Sequence, residues 1–251
     1  MVNIDTIYQR VLALANKEQR GYITPQEFNL FANQAQMDIF EQYFYDINQR
    51  ERVPGSKNPY ADIDALLEEK IEVFFISYAL TAINDQQSQF ILPDICYKIQ
   101  SVTHKRLNKF GNEERVEVER MSWHELRQAR LSPLTAPTLS RPAYHQRATS
   151  RGIGLIAIEP NLRTPGFITT TLNLGFIKKP IKANWTYVVV GGKPLVNNST
   201  TAGYQDFELH ASEETKLVIK ILALAGITLK DPALYQAAAA EDNKSIQQEK
   251  Q

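Results

Sequence analysis

Apolar residues recur along the chain with two different periods, helical near both ends and strand-like in the middle. The first helical run predicts a helix over residues 4–17. Thr24 is then placed to cap a second helix, with Pro25 at its first position and Glu27 at its third, which is the pattern of a capping box. A broad apolar stripe carries this second helix to about residue 48.

The segments that follow are less regular. Residues 49–62 contain Pro-Gly and Asn-Pro pairs, which are typical of a loop. Residues 63–84 are compatible with a helix followed by a pair of strands, or with strands throughout, because Ile71, Val73 and Phe75 alternate as strand residues do. Both alternatives stay open from the sequence.

From about residue 90 the chain becomes rich in β-branched residues. Strands are expected over 154–160, 167–180 and 185–190. Three prolines fall within ten residues of the segment 131–147, which excludes a helix and disfavours a central strand. We therefore expect an extended arm or loop there.

Capping residues predict the remaining helices. Ser122 is placed to cap a short helix over 123–130, and Ser212 is placed to cap a longer helix that ends before Gly226. An Asp-Pro pair near residue 231 opens a last helix, whose far half has no apolar stripe and would be frayed alone in water.

Together these elements predict an α+β protein, in which N- and C-terminal helices pack as a bundle and a barrel- or sandwich-like β-rich insertion projects from it. The predicted parts are an N-terminal helical part at 1–89, a β-rich insertion at 90–205 that carries the arm at 131–147, a C-terminal helix at 206–232 that packs back on the first helices, and a tail at 233–251.

Composition narrows the classes of function. The chain has 251 residues, of which 43% are apolar, and no apolar run approaches the roughly 18 residues of a membrane span. The first residues lack the basic and apolar regions of a secretion signal, so we expect assembly in the cytoplasm. The single Cys96 excludes an intramolecular disulfide framework and is expected to be a buried thiol.

Zero net charge hides an asymmetry along the chain. Residues 1–90 hold 13 acidic and 7 basic side chains, whereas residues 98–151 hold 5 acidic and 11 basic ones. This division suits head-to-tail contact between identical copies, and it equally suits two ordinary solvated surfaces.

Candidate chemistry is sparse. The four histidines are separate from one another and from the cysteine, so each is expected to be structural; they are His104, His124, His145 and His210. The sequence contains no phosphate-binding loop, nucleophile elbow or dinucleotide fingerprint. We therefore expect no catalytic residue, no cofactor and no metal ligand.

Charged clusters have ordinary explanations as well. Helical spacing or loop solvation explains the acidic clusters better than a metal site does; they are Asp62, Asp64, Glu68 and Glu69. The basic set Lys105, Arg106 and Lys109, beside Phe110, is compatible with a phosphate contact, although a solvated hairpin tip is the favoured interpretation. Trp185 is expected to be a core or inter-strand aromatic residue.

The stretch from Asn16 to Glu27 matches a twelve-residue calcium loop in length, with Gly21 at its sixth position and Glu27 at its twelfth. The fifth position is Arg20, whose guanidinium donates hydrogen bonds and cannot ligate a cation. A capped corner between two helices is therefore the favoured interpretation.

Five stretches together carry a resemblance to a known group of proteins. They are NKEQRGYITPQEFNLFANQAQMDIFEQYF, LPDICYKIQSV, PTLSRPAY, LGFIKKPIKANWTYV and FELHASEETKLVIKILALAGITLKDP. Their order over nearly the whole chain resembles the head-to-tail connector proteins of tailed bacteriophages, also called adaptor or ring proteins, including those of marine and crAss-like phages. The shared patterns are packing and turn patterns, not catalytic signatures.

The resemblance implies a mechanical function at the head-tail junction of a virion. About twelve copies would form a ring below the portal, join capsid to tail and line the DNA channel. The implied partners are the portal protein, neighbouring copies, other ring or tail proteins, and double-stranded DNA that passes without sequence-specific binding. The tail at 233–251 would dock on the portal or on a neighbour, and its ordering entropy would be offset by newly buried surface.

Other classes remain open from the sequence. A tail-tube attachment protein, a tail fibre or a receptor-binding tail component would be structural as well. A calcium-responsive protein or an enzyme is the alternative from a different class.

Overall fold

In the computed structural model of the protein, the described residues are 1–17, 23–52, 61–82, 88–107, 110–148, 152–161 and 167–228, together with Gln236, Ala240, Glu241 and Lys244. Contacts divide the chain into two units. Unit 1 comprises Met1–Val73 and Pro180–Gln251, and unit 2 comprises Phe74–Lys179. Unit 2 is therefore inserted into the sequence of unit 1.

The elements confirm the predicted α+β class. The helices are α1 (Ile4–Lys17), α2 (Pro25–Arg52), α3 (Ala61–Glu72), α4 (Trp123–Ala129) and α5 (Glu214–Thr228). The strands are β1 (Phe75–Thr81), β2 (Gln89–Ile91), β3 (Cys96–Leu107), β4 (Glu113–Glu117), β5 (Glu119–Arg120), β6 (Ala143–Ala148), β7 (Gly154–Glu159), β8 (Phe167–Lys178), β9 (Tyr187–Val190) and β10 (Lys193–Val196).

Local capping chemistry forms helix starts as predicted. The backbone N–H of Thr24 donates to the Glu27 carboxylate at 2.9 Å, and the N–H of Glu27 donates to the Thr24 hydroxyl at 3.3 Å. Ser122 and Glu125 form the same reciprocal box at the start of α4. Each box satisfies two backbone donors that the helix leaves without partners. α2 continues to Arg52, beyond its predicted end.

The ambiguous segment is a helix followed by a strand. α3 ends at Glu72 and β1 begins at Phe75. β1 pairs along its whole length with β8, about a hundred residues later in the chain, and not with a neighbouring strand.

Unit 1 gathers helices from both ends of the chain. α5 contacts both α1 and α2. The buried positions of α5, which include Leu217, Ile221 and Ala225, follow a helical period and form one apolar face. Phe28 and Ile39 of α2 are fully buried in the same unit.

Unit 2 consists of two four-stranded sheets that share a core. Their strand orders are β1–β8–β3–β4 and β2–β7–β6–β5, with every pair antiparallel except β5 and β6. Phe90 and Ile156 from one sheet join Leu174 and Phe176 from the other in a single apolar cluster. Two sheets that bury their inner faces together agree with the predicted sandwich-like insertion.

The predicted arm at 131–147 is wrong in its second half. Residues 143–148 form β6, which lies between β5 and β7 within its sheet and buries Ala143 and Tyr144. Pro142 immediately precedes the strand, so its missing N–H falls outside the β6 ladder. Its carbonyl still accepts a bond from the N–H of Glu119 at 2.9 Å.

The unit boundaries differ from the predicted ones at 89/90 and 205/206. They lie at 73/74 and 179/180, because β1 joins the sheet of β8, while residues 180–205 belong with the helices. The sequence pattern did not show that β1, which closely follows α3, belongs to the β-rich unit and not to the helical part.

α5 also differs from its prediction at both ends. A 3-10 turn at Ala211–Glu213 precedes α5, and Nδ1 of His210 caps this turn by accepting the N–H of Ser212. Gly226 lies inside α5, at a buried position, because the helix continues to Thr228. The predicted last helix and the tail at 233–251 lie outside the described residues, apart from the four helical positions named above.

Candidate functional site

The histidines are dispersed through the fold. His104 and His145 are buried on β3 and β6, while His124 is exposed on α4 and lies 3.0 Å from the Gln128 amide. His210 caps the turn before α5. Within the part of the chain that the structure describes, no three His, Cys, Asp or Glu residues form a group that could hold a metal ion.

The basic set on β3 is engaged in ion pairs. Lys105 lies 3.0 Å from Glu113 and Arg106 lies 2.9 Å from Glu114, across the β3–β4 ladder. Phe110 is exposed at the tip, and Lys109 lies outside the described residues. Paired cations at a hairpin tip agree with the solvated interpretation.

The acidic clusters give no site either. Glu68 and Glu69 are exposed on α3, and Glu69 lies 4.0 Å from His210. The side chains of Asp62 and Asp64 lie outside the described part. A shallow recess of about 360 Å³ in unit 2 is lined by both acidic side chains and arginines. Because these charges oppose one another, the recess has no dominant charge that would select a ligand.

Cys96 is half-buried on β3, and burial raises the pKa of its thiol, an effect that the nearby Lys179 charge opposes. A thiol with a raised pKa is a poor nucleophile at neutral pH.

The calcium hypothesis loses its most important ligand. The Glu27 carboxylate accepts bonds from both the N–H and the hydroxyl of Thr24, and these bonds hold the pKa of Glu27 below its usual value. The side chain that would ligate calcium in two contacts therefore closes the capping box. Residues 18–22 of the proposed loop lie outside the described residues.

The most distinctive arrangement in unit 1 is a row of amide side chains on α2, which we call the amide ladder (Asn29, Asn33 and Gln36). Asn29 donates to the carbonyl of Trp185 at 3.1 Å and accepts the N–H of Trp185 at 2.9 Å. Asn33 donates to the carbonyl of Ala183 at 2.9 Å. Gln36 donates to the carbonyl of Ile181 at 2.8 Å.

Similar spacings on α2 and on the segment 181–185 make the amide ladder possible. Positions 29, 33 and 36 lie on one face of a helix and span about 10.5 Å. Alternate residues of the extended segment 181–185 point the same way and span about 13 Å. Because the two spans are similar, Asn and Gln side chains bond the backbone groups on the side of α2. Asn184 pairs with Gln205 in an isolated antiparallel bridge.

Acidic residues complete the attachment of this segment. Asp5 of α1 accepts the indole N–H of Trp185 at 2.9 Å, and the buried Glu208 accepts the N–H of Ile181 at 2.9 Å. Asp206 accepts the N–H of Ile4 at 2.8 Å. Burial and the charge of Asp206 raise the pKa of Tyr204 to about 12, so this phenol stays protonated.

Trp185 is a core residue, as expected. Its side chain is 1% exposed, and its ring centroid lies 4.0 Å from that of Tyr8 and 5.6 Å from that of Tyr187. The amide ladder and Trp185 thus fix the chain immediately before β9.

The hairpin of β9 and β10, which we call the apolar hairpin (residues 187–196), is the candidate functional site. Gly191 and Gly192 have φ values of 58° and 78°, as a type I′ turn requires. Both faces of the ribbon carry exposed apolar side chains, namely Tyr187, Val188, Val189, Val190, Leu195 and Val196. A concentration of exposed apolar side chains on one short hairpin is typical of an interaction site.

The sequence identified part of this site. The strand expected over 185–190 includes β9, whereas β10, the exposure of both faces and the amide ladder were not predicted. A usable signal was present in α2, where amides recur at a helical spacing beside the apolar stripe.

Comparison of the chain with models of known protein families gives no match, and comparison with curated proteins gives none either. Among the described residues, no helix combines the length and the apolarity that crossing a membrane requires.

We expect Gln36→Ala to destabilise the protein by about 1–3 kcal/mol, since it leaves the carbonyl of Ile181 and the N–H of Glu208 without their amide partner in a buried place. Urea unfolding followed by tryptophan fluorescence measures the change. Gln34→Ala is the matched control, because Gln34 is exposed on the same helix. Equal unfolding midpoints for the two variants would show that the amide ladder contributes nothing.

His145 provides a pH-dependent test of unit 2. The side chain is 5% exposed, its ring centroid lies 5.0 Å from that of Trp123, and its buried Nδ1 has no hydrogen-bond partner among the described residues. Burial, with the charges of Arg147 and Arg130, lowers the pKa of His145 below 6.5. The unfolded chain therefore takes up this proton more readily than the folded one.

The stability that neutral His145 contributes is complete above its ordinary pKa near 6.5. It is lost as the pH falls from there towards the lowered pKa, by up to about 1.4 kcal/mol per pH unit. We expect His145→Gln to reduce the loss of thermal stability on acidification in this range. His124→Gln, on an exposed histidine, should keep the slope of the wild type. An unchanged slope in His145→Gln would contradict this assignment.

Proposed function

We propose that this chain is a virion structural protein of a tailed bacteriophage, an adaptor that forms a ring below the portal. The apolar hairpin is the observation that carries the proposal. A two-stranded ribbon is marginal alone in water. Here it is anchored by the amide ladder, and Val188, Val189 and Val190 remain about half exposed or more. Such a ribbon suits contact with another protein better than chemistry on a small molecule.

The resemblance to connector proteins supports the same role. One of the resembling stretches, LGFIKKPIKANWTYV, includes the segment that the amide ladder holds and the first residues of β9. The shared pattern therefore covers the residues that position the apolar hairpin.

In the proposed role, about twelve copies join capsid to tail at the head-tail junction. Their partners are the portal protein, neighbouring copies and other ring or tail proteins. Double-stranded DNA passes through the ring during genome ejection, without sequence-specific binding. The formal net charge of zero supports this passage, because a strongly basic ring would retain the DNA.

Mixing the purified protein with the portal protein of the same virus tests the proposal. We expect rings of about a dozen copies on the portal, visible by negative-stain imaging and countable by native mass measurement. Portal alone and protein alone are the controls. A monomer in the absence of portal is compatible with the proposal, since weak contacts between copies need the high local concentration that binding to the portal provides.

A chain that stays monomeric beside its portal would contradict the adaptor role. A trimer in place of a ring would favour a receptor-binding tail component. Deleting residues 233–251 tests the proposed docking tail separately, because portal binding that survives the deletion unchanged would reject that role.

A further inference from the structure

The edges of the three sheets differ in how they are protected. An open strand edge invites pairing with another chain, and proteins usually block it with charge, proline or short length. β2 and β5 have only three and two residues. β4 carries four charged residues in five, and β10 contains Lys193 and Pro194. Among the edges that the structure describes, β1 and β9 alone have none of these protections.

The pairing of β9 with β10 determines which backbone groups of β9 point outward at its free edge. The N–H of Asn197 donates to the carbonyl of Thr186 at 2.8 Å, which makes that pair a hydrogen-bonded one. Bonded and non-bonded pairs alternate along an antiparallel ladder. The N–H and C=O groups of Tyr187 and Val189 therefore point away from β10. On the opposite edge of the hairpin the residue paired with Val189 is Pro194, which has no N–H to offer.

The free edge of β1 has the same construction. The N–H of Lys178 donates to the carbonyl of Phe74 at 2.9 Å, and the β1–β8 register continues without a shift. The alternate residues of β1 therefore direct their backbone groups away from β8; they are Phe75, Ser77, Ala79 and Thr81. Their spacing of two residues equals that of Tyr187 and Val189 on β9.

Side chains beside the two edges are also compatible. Val189 is 62% exposed on β9, while Phe75 and Tyr78 are 45% and 53% exposed on β1. Neither strand contains a charged residue, so pairing them places no like charges opposite each other. Aromatic and β-branched side chains form favourable cross-strand pairs.

The charges of the two units favour a head-to-tail arrangement. Unit 1, which contains β9, has 20 acidic and 14 basic residues. Unit 2, which contains β1, has 8 acidic and 14 basic residues. Contact between unit 1 of one copy and unit 2 of the next brings opposite charges together, whereas contact between like units does not.

We propose that β9 of one copy adds to the free edge of β1 in the next copy, as an intermolecular strand pair. Different surfaces meet in this contact, so it is heterologous, and it repeats around a ring when the rotation between neighbouring copies closes. The inference rests on the proposed function, since it identifies the contact between neighbouring copies. The four-residue length of β9 makes each contact weak alone and dependent on high local concentration.

Proline substitutions at outward-pointing positions test the pairing. Val189→Pro and Ala79→Pro each remove one outward N–H from β9 or β1 and spare the bonds inside the sheets. Val196→Pro is the matched control, because it removes an outward N–H from the β10 edge, which Pro194 already blocks. Thermal unfolding verifies that each variant is folded, and native mass measurement follows assembly of the full chain up to millimolar concentration.

Each of the two edge variants should raise the concentration for half-assembly by about tenfold or more, which corresponds to at least about 1.4 kcal/mol. Val196→Pro should leave it within about twofold of the wild type. A mixture of Val189→Pro and Ala79→Pro should form dimers, because the first retains an intact β1 edge and the second an intact β9 edge. The double variant should remain monomeric alone.

Several results would overturn the pairing. Normal assembly of Ala79→Pro with loss of assembly in Val189→Pro would indicate that β9 pairs with itself. Normal assembly of Val189→Pro, or a wild type that stays monomeric at every concentration, would reject the contact. Rings of Val189→Pro on the portal would reject it too while leaving the adaptor role intact, whereas the absence of rings in every variant and in the wild type would reject the adaptor role itself.

Discussion

The amide ladder is the interaction on which the organisation of unit 1 depends. Residues 181–185 lie outside the named strands, and Asn184 pairs with Gln205 in an isolated bridge, so the backbone groups on the side of α2 need other partners. Asn29, Asn33 and Gln36 supply them. Sliding the segment by one residue would misalign all of these bonds together. The ladder therefore fixes the position at which Trp185 enters the core, and with it the point where the apolar hairpin begins.

The apolar hairpin also depends on this attachment to unit 1. Its type I′ turn and cross-strand pairs define the ribbon locally, but they bury little apolar surface. Attachment through Trp185 supplies the burial that the ribbon lacks. Strong anchoring at one end and exposure at the other are a combination that a binding element needs, because little conformational entropy remains to be lost on association.

Local chemistry in the sequence predicted local structure well. Thr24 and Glu27, and Ser122 and Glu125, form capping boxes because the atoms involved lie within four residues of one another. The predictions fail where residues distant in the sequence determine the secondary structure. β6 is a central strand in spite of Pro142 because β7 and β5 pair with it, and neither partner is visible in the local pattern.

For the candidate site as well, the local structure was predictable from the sequence and the tertiary environment was not. The strand and turn of the apolar hairpin follow from its valines and glycines, whereas its exposure depends on what the remaining chain covers. Helical periodicity alone does not tell a solvent-facing amide from one that bonds a backbone 145 residues away, as Gln36 does. The α+β class was predictable because it depends only on the order of local patterns.

The pairing of β1 with β8 has a consequence for the history of the protein. The chain enters unit 2 at Phe74 and leaves it after Lys179. The N–H of Lys178, one residue before this exit, donates to the carbonyl of Phe74 at 2.9 Å. A module whose two ends adjoin can be gained, lost or exchanged by recombination at two neighbouring junctions, without stretching the host chain. The adjoining ends of unit 2 meet this requirement, so its insertion asks for no change in the path of the helices or of the amide ladder.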